Sequence, residues 1–152
     1  MKQLFLTTLS LVLMTGFLGT QTSCSRAATP AHYTGNQLML GSGGGVTGFA
    51  TTYYLLANGK LFSRSSRDTV FTFIGRQTRA NTKRVFEMAE QDCAIKTTNF
   101  NHPGNTYKFA QWKKGEESYR VTWGDISETV PASYPRLYTS FMTMLPISET
   151  LH

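Results

Sequence analysis

The sequence predicts an α+β domain, and three observations carry that prediction. Strand-like runs come as hairpins, helical spacing occurs only twice, and the runs are too few to close a lipocalin-like barrel, the alternative architecture. The expected form is an antiparallel sheet of four to six strands in hairpins, with two helices packed on one face, built from residues 37–146 as a single α+β domain.

The first strand is the apolar run Gln37, Leu38, Met39 and Leu40, which stops at a glycine-rich stretch from Gly41 to Gly45. Residues 49–56 follow, rich in aromatic and β-branched side chains, and end at Asn58-Gly59. Asn-Gly between two such runs is a strong hairpin signal, because a type I′ turn needs φ > 0 at both central positions. Residues 60–63 are the returning strand, and 70–74 form a further short strand or its continuation.

Residues 82–94 have helical spacing. Val85, Phe86, Ala89 and Cys93 share one apolar face, with charges elsewhere. Residues 99–105 contain Asn-His-Pro-Gly-Asn and read as a turn. Residues 106–112 and 118–123 flank Lys113 to Glu117 as a second hairpin. Its second strand alternates Tyr119, Val121 and Trp123 with Arg120 and Thr122, so one face is buried and one is wet. The last element is a helix over 133–145, striped by Tyr134, Leu137, Tyr138, Phe141 and Leu145. Ser133 caps it, Pro135 sits in its first turn and Pro146 follows its end.

The N-terminus reads as an address. Lys2 precedes an uncharged apolar run, 4–18, of ~15 residues, short of the ~20 that span a bilayer. Ser23-Cys24-Ser25 closes the segment as a bacterial lipoprotein signal does, with Gln21 where an aliphatic residue is usual. Residues 1–23 are therefore expected to be a lipoprotein-type signal peptide, with Cys24 lipidated. Residues 24–36, rich in Ala, Thr, Ser and Gly, would be a flexible tether, and 147–152 a C-terminal tail. The expected location is the cell envelope, anchored to a membrane through Cys24, the outer membrane favoured over the inner. Cleavage near Ala28 is the alternative and leaves a soluble periplasmic or secreted protein. Cys93 is the other cysteine, and a buried thiol on a helix face is its common state.

Removing the signal leaves about 129 residues, one domain by size. The formal charge is +6, and Lys60, Arg64, Arg67, Arg76, Arg79, Lys83 and Arg84 fall in one stretch opposed only by Asp68. No nucleic-acid motif accompanies them, so an anionic surface, an acidic partner or a plain solvated face is expected rather than nucleic acid.

Chemistry-bearing motifs are sparse. Gly43-Gly44-Gly45-Val46-Thr47-Gly48 matches the dinucleotide fingerprint literally, but a strand follows instead of a helix, so no helix N-terminus faces a pyrophosphate. Those six residues, with His102, are the expected partner contacts. His102 and Asp125 could be drawn into a hydrolase, yet no nucleophile elbow is present. No H-x-x-x-H, C-x-x-C or carboxylate cluster points to a metal, and no cofactor is expected. Tyr53, Tyr54, Trp112, Tyr119 and Trp123 sit at strand spacing and are expected mainly in the core. Adjacent Tyr53 and Tyr54 must point to opposite faces.

The glycine motif leading into a tyrosine-rich strand, His102-Pro103-Gly104-Asn105-Thr106-Tyr107, and Tyr119-Arg120-Val121-Thr122-Trp123-Gly124-Asp125 together resemble an uncharacterised group of small exported bacterial proteins, many of them lipoproteins. That resemblance implies location and no activity. Ser42-Gly43-Gly44 and Gly48 are also distantly similar to the opening of the emfourin-type inhibitors of thermolysin-like metallopeptidases. Val46 and Thr47 depart from that motif, and the export signal departs from the usual location of those inhibitors. The expectation is a non-enzymatic envelope lipoprotein that binds another protein, with steric peptidase inhibition as its sharpest form. The alternative is a binder of sugar, peptide or lipid through an exposed aromatic sheet face.

Overall fold

The computed structural model describes residues 28–146. The expected signal peptide 1–23, Cys24 with residues 25–27 of the expected tether, and the tail 147–152 lie outside the described residues. The elements run β1 (Gln37–Gly44), β2 (Ala50–Leu56), β3 (Lys60–Ser65), β4 (Thr72–Arg76), α1 (Arg79–Glu87), β5 (Asn101–His102), β6 (Thr106–Lys114), β7 (Glu117–Trp123) and α2 (Ser133–Met142).

The fold is α+β, but the sheet has seven strands and is mixed. Its order is β4-β3-β2-β1-β6-β7-β5, antiparallel throughout except that β5 runs parallel to β7. The expectation of four to six antiparallel strands misses β5. Two residues are too short for any periodicity, and the Pro-Gly after them reads as a turn. What holds β5 is pairing: Asn101 lies beside Thr122 and His102 beside Trp123. The Thr122 amide donates to the Phe100 carbonyl at 2.8 Å, and the Asp125 amide to that of His102 at 3.0 Å.

One sheet face carries Leu38, Leu40, Leu55, Leu61, Ala110, Trp112, Val121 and Trp123. They form one cluster with Val85 of α1 and with Tyr134, Leu137 and Phe141 of α2. Each fully buried aliphatic side chain there contributes about 1.5–3 kcal/mol before entropy is counted. On the other face Met39, Tyr54, Leu56 and Phe62 form a smaller cluster beneath Tyr33 and Phe71. Tyr53 packs against the first cluster and Tyr54 sits in the second, the opposition that strand geometry demands.

Both helices differ from their expected bounds. α1 begins earlier because Thr78 caps it, accepting from the Asn81 amide at 3.1 Å. It then widens into a π-helical turn, Met88–Asp92, closed by the Cys93 amide donating to the Met88 carbonyl at 2.9 Å. Ala94 ends this segment at φ 45°, the only non-glycine among the described residues with positive φ. An L-residue pays about 1–2 kcal/mol there, so Ala94→Gly is expected to stabilise the fold by roughly 0.5–1 kcal/mol. A urea midpoint that falls would contradict this.

In α2 the cap position is Ala132, without a side-chain hydrogen bond, and Ser133 is the first helical residue. Ser133 hydrogen-bonds the buried Cys93 thiol instead. Burial pushes that thiol's pKa up, and the Ser133 hydrogen bond opposes the rise. α2 stops at Met142, three residues short of its expected end, although Met144 and Leu145 stay buried.

The first hairpin is also built differently. Its loop is three residues, Ala57 to Gly59, with the Gly59 amide donating to the Leu56 carbonyl at 2.8 Å. Gly59 has φ 82° while Asn58 stays at negative φ, so the turn is not type I′. The Asn58 side chain accepts from the Lys60 amide at 3.1 Å instead.

The chain enters and leaves the domain at this same end of the sheet. The Gln37 side-chain amide donates to the carbonyls of Pro30 at 3.1 Å and Tyr33 at 3.0 Å, and the Ala57 amide to that of Asn36 at 2.9 Å. Residues 28–36, the described part of the expected tether, thus carry a turn tied to β1. At the C-terminal side the Gln77 side chain donates to the Met144 carbonyl at 2.7 Å, and its amide to that of Gly59 at 2.8 Å.

Candidate functional site

The opposite end of the sheet is defined by one cross-strand row: Ser65, Thr51, Ser42, Lys108 and Trp123, continued by His102 on β5. From this row leave the loops 45–49, 66–71, 103–105 and 124–132. The glycine motif, His102 and Asp125 all belong to this end.

The glycines divide into two kinds. β1 does not stop at Gly41; it runs through Gly44, with Gly43 opposite Ala50 and Tyr107, and Gly44 opposite Thr106. A Cβ on Gly44 would overlap the Asn105 carbonyl oxygen, and Gly44 has φ 92°. A Cβ on Gly124 would likewise overlap the Thr106 carbonyl oxygen. These positions let backbones approach: Gly43 and Gly44 are sheet residues, not part of a loop, and both line the cleft beside the turn. Gly45, Val46, Thr47 and Gly48 form the exposed turn, closed by the Gly48 amide donating to the Gly45 carbonyl at 3.2 Å. The Gly45 amide is anchored on the Asn105 carbonyl at 2.7 Å. Val46 stands fully exposed at the tip.

Val46 has company. The large apolar side chains exposed among the described residues are Val46, Phe49, Val70, Phe73 and Ile126. All but Phe73, which lies on β4, sit on the loops of this end. Ile126 is as fully exposed as Val46.

Four cations toward this end stack on aromatic rings rather than on carboxylates. Arg67 stacks on Phe49 with its guanidinium carbon 3.4 Å from the ring centroid, and Arg64 on Phe71 at 4.7 Å. Arg120 covers Phe109 at 3.8 Å, and the Lys108 ammonium lies 4.8 Å from the Tyr138 centroid. None of the four forms an ion pair with a described residue. The basic run seen in the sequence is therefore split. Arg64 and Arg67 serve this end, Lys60 and Arg76 pair across β3 and β4 toward the other, and Lys83 bonds Glu87 at 3.5 Å.

A cleft of about 510 Å³ opens beside the glycine turn, walled by Phe49, Tyr107 and Trp123 and reached by Lys108, Ser42 and Thr106.

His102 and Asp125 do not form a relay. His102 Nδ1 faces Glu128 Oε1 at 3.6 Å, and its ring lies 4.7 Å from that of Phe100. Asp125 Oδ1 accepts from the Ser127 amide at 2.9 Å and hydroxyl at 2.7 Å. Those bonds hold the Asp125 carboxyl below its ordinary pKa, the backbone bond foremost. A lowered folded-state value means the stability these bonds add is present above the unfolded pKa and is lost as pH falls through the folded one. The Ser127 amide resonance is expected to shift with an acid midpoint below the usual aspartate range; a midpoint within or above that range contradicts it.

Among the described residues no three His, Cys, Asp or Glu side chains gather to hold a metal ion, and no helix is long and apolar enough to cross a membrane. Of the aromatics expected at strand spacing, Tyr54, Trp112 and Trp123 are buried, and Tyr53 and Tyr119 are half-buried against the helix-side cluster. The Trp112 indole N–H is the one buried side-chain polar atom among the described residues without a hydrogen-bond partner.

Sequence reading missed Phe49, Val70, Lys108 and Ile126. Only Ile126 left a signal, an aliphatic residue within the polar Gly-Asp-Ile-Ser stretch after a strand. No protein-family model matches this chain, and no curated protein matches it. The likeness to exported bacterial proteins and to emfourin-type inhibitors rests on the motifs alone.

Proposed function

We propose that this chain is a non-enzymatic protein-binding module of the cell envelope, held to a membrane by lipid on Cys24. It docks its partner through the loop end of the sheet. The carrying observation is the gathering of Val46, Phe49, Val70 and Ile126 at one end, amid cations that lack carboxylates. Apolar side chains held exposed together mark interaction surfaces more often than scattered ones do. The chain enters and leaves the domain at the other end, which supports a tether there and a partner here. The sharpest form is steric inhibition of a thermolysin-type metallopeptidase. The Gly45–Gly48 turn would enter the cleft and obstruct it, with no bond made or broken.

The test is capture from envelope extracts on the immobilised protein, beside a thermolysin-type inhibition assay. Val46→Asp combined with Ile126→Asp is expected to weaken capture at least ~30-fold, because two desolvated anchors are replaced by charges. Its melting temperature should match that of the wild type, since both side chains are exposed. Capture that survives the double substitution contradicts the proposal. Absence of inhibition at micromolar protein removes the inhibitor form alone.

A further inference from the structure

We infer that the cleft beside the glycine turn is a carboxylate-recognising subsite. It accepts an acidic side chain that the docked protein carries next to an apolar one. This inference rests on the protein-binding reading and assigns the chemistry of the partner segment.

Lys108 lies between Ser42 and Trp123 in the cross-strand row, on the sheet face that packs the helices. Its ammonium rests on the Tyr138 ring at 4.8 Å, and Tyr138 is in turn braced edge-on by Trp123, centroids 6.0 Å apart. The cation is thus held at the cleft by the Tyr138 ring, with no carboxylate of the described residues neutralising it. Ser42 and Thr106 add hydroxyls that bond no described residue. One ammonium and two hydroxyls form a donor set for a single compact anion. A phosphate would call for more cations or an arginine fork, and no arginine lines the cleft. An amine finds no acceptor charge, because no carboxylate lines it either, and neighbouring Asp125 is engaged by Ser127. Phe49, Tyr107 and Trp123 offer apolar walls of the kind that receive an adjoining side chain. The formal charge of +6 favours an acidic partner segment at longer range.

The test titrates the exported, purified protein with two blocked dipeptides, acetyl-Phe-Glu-amide and acetyl-Phe-Gln-amide, followed by amide NMR. The Glu peptide is expected to move the resonances of Gly44, Thr106, Lys108 and Gly124, and to bind roughly tenfold more tightly than its Gln counterpart. Lys108→Gln should abolish that preference and Lys108→Arg retain it, with melting temperatures unchanged because the Lys108 side chain is exposed. Equal binding of the two peptides, an undiminished preference in Lys108→Gln, shifts confined to other residues, or no shift at all would each overturn the assignment. Those failures are separable from failure of the docking reading, which the Val46 and Ile126 substitutions test without reference to Lys108.

Discussion

Gly44→Ala is expected to cost about 2–6 kcal/mol of folding stability. Two effects add. Gly44 sits at φ 92°, where an L-residue is strained by roughly 1–3 kcal/mol. The new methyl would also press on the Asn105 carbonyl oxygen, a main-chain atom that cannot rotate away. Overpacking of that kind costs about 1–3 kcal/mol more. The same carbonyl accepts the Gly45 amide at 2.7 Å, so displacing it unseats the exposed turn as well. A domain of this size has only about 5–15 kcal/mol in hand. Urea unfolding measures the effect, and Gly48→Ala is the comparison. Gly48 also has positive φ, at 63°, but nothing lies within 4 Å of its would-be Cβ. It should lose only the backbone part. Equal losses at the two sites would mean that close approach at Gly44 carries no cost.

Trp123→Ala should cost about 3–5 kcal/mol, the range for removing a buried large aromatic, and lower the melting temperature by roughly 15–30 °C. Trp123 is 6% exposed and joins the sheet to α2 through Tyr134, centroids 5.7 Å apart, and Tyr138 at 6.0 Å. Such pairs contribute about 0.5–1.5 kcal/mol each beyond the area they bury. Trp123→Phe keeps a ring and most of the apolar burial, so its loss should be markedly smaller. The substitution also removes one wall of the cleft. A loss under about 1 kcal/mol for Trp123→Ala would contradict a role for this side chain in joining helix to sheet.

The hairpins were legible in the sequence because period-two alternation reports which face of a strand is buried. Tyr119, Val121 and Trp123 announce β7 in that way. Helical spacing found α1 and α2 for the same reason, since Val85 and Ala89, or Tyr134, Leu137 and Phe141, repeat at the turn of a helix. What escaped depends on pairing rather than pattern. β5 exists because Asn101 and His102 lie beside Thr122 and Trp123, and two residues have no period of their own. β1 continues through glycines that carry no hydrophobicity signal. Its continuation is set by backbone approach to Asn105 and Thr106, which are distant in sequence. The site was half legible. Turn chemistry pointed to Gly45 through Gly48, while Phe49, Val70 and Ile126 join it only because sheet register delivers their loops to one end. Lys108 carried no signal within the strand expected over 106–112, and its pairing with Tyr138 depends on where α2 packs.

Photo-crosslinking in exporting cells separates the two ends of the sheet most directly. Benzoylphenylalanine is placed at position 46, on the glycine turn, or at position 116, on the β6–β7 hairpin tip at the entry end. Docking through the loop end predicts a discrete heavier adduct from position 46 and none from position 116. An adduct from position 116 alone, or none from position 46 in a protein that still captures its partner, would contradict it.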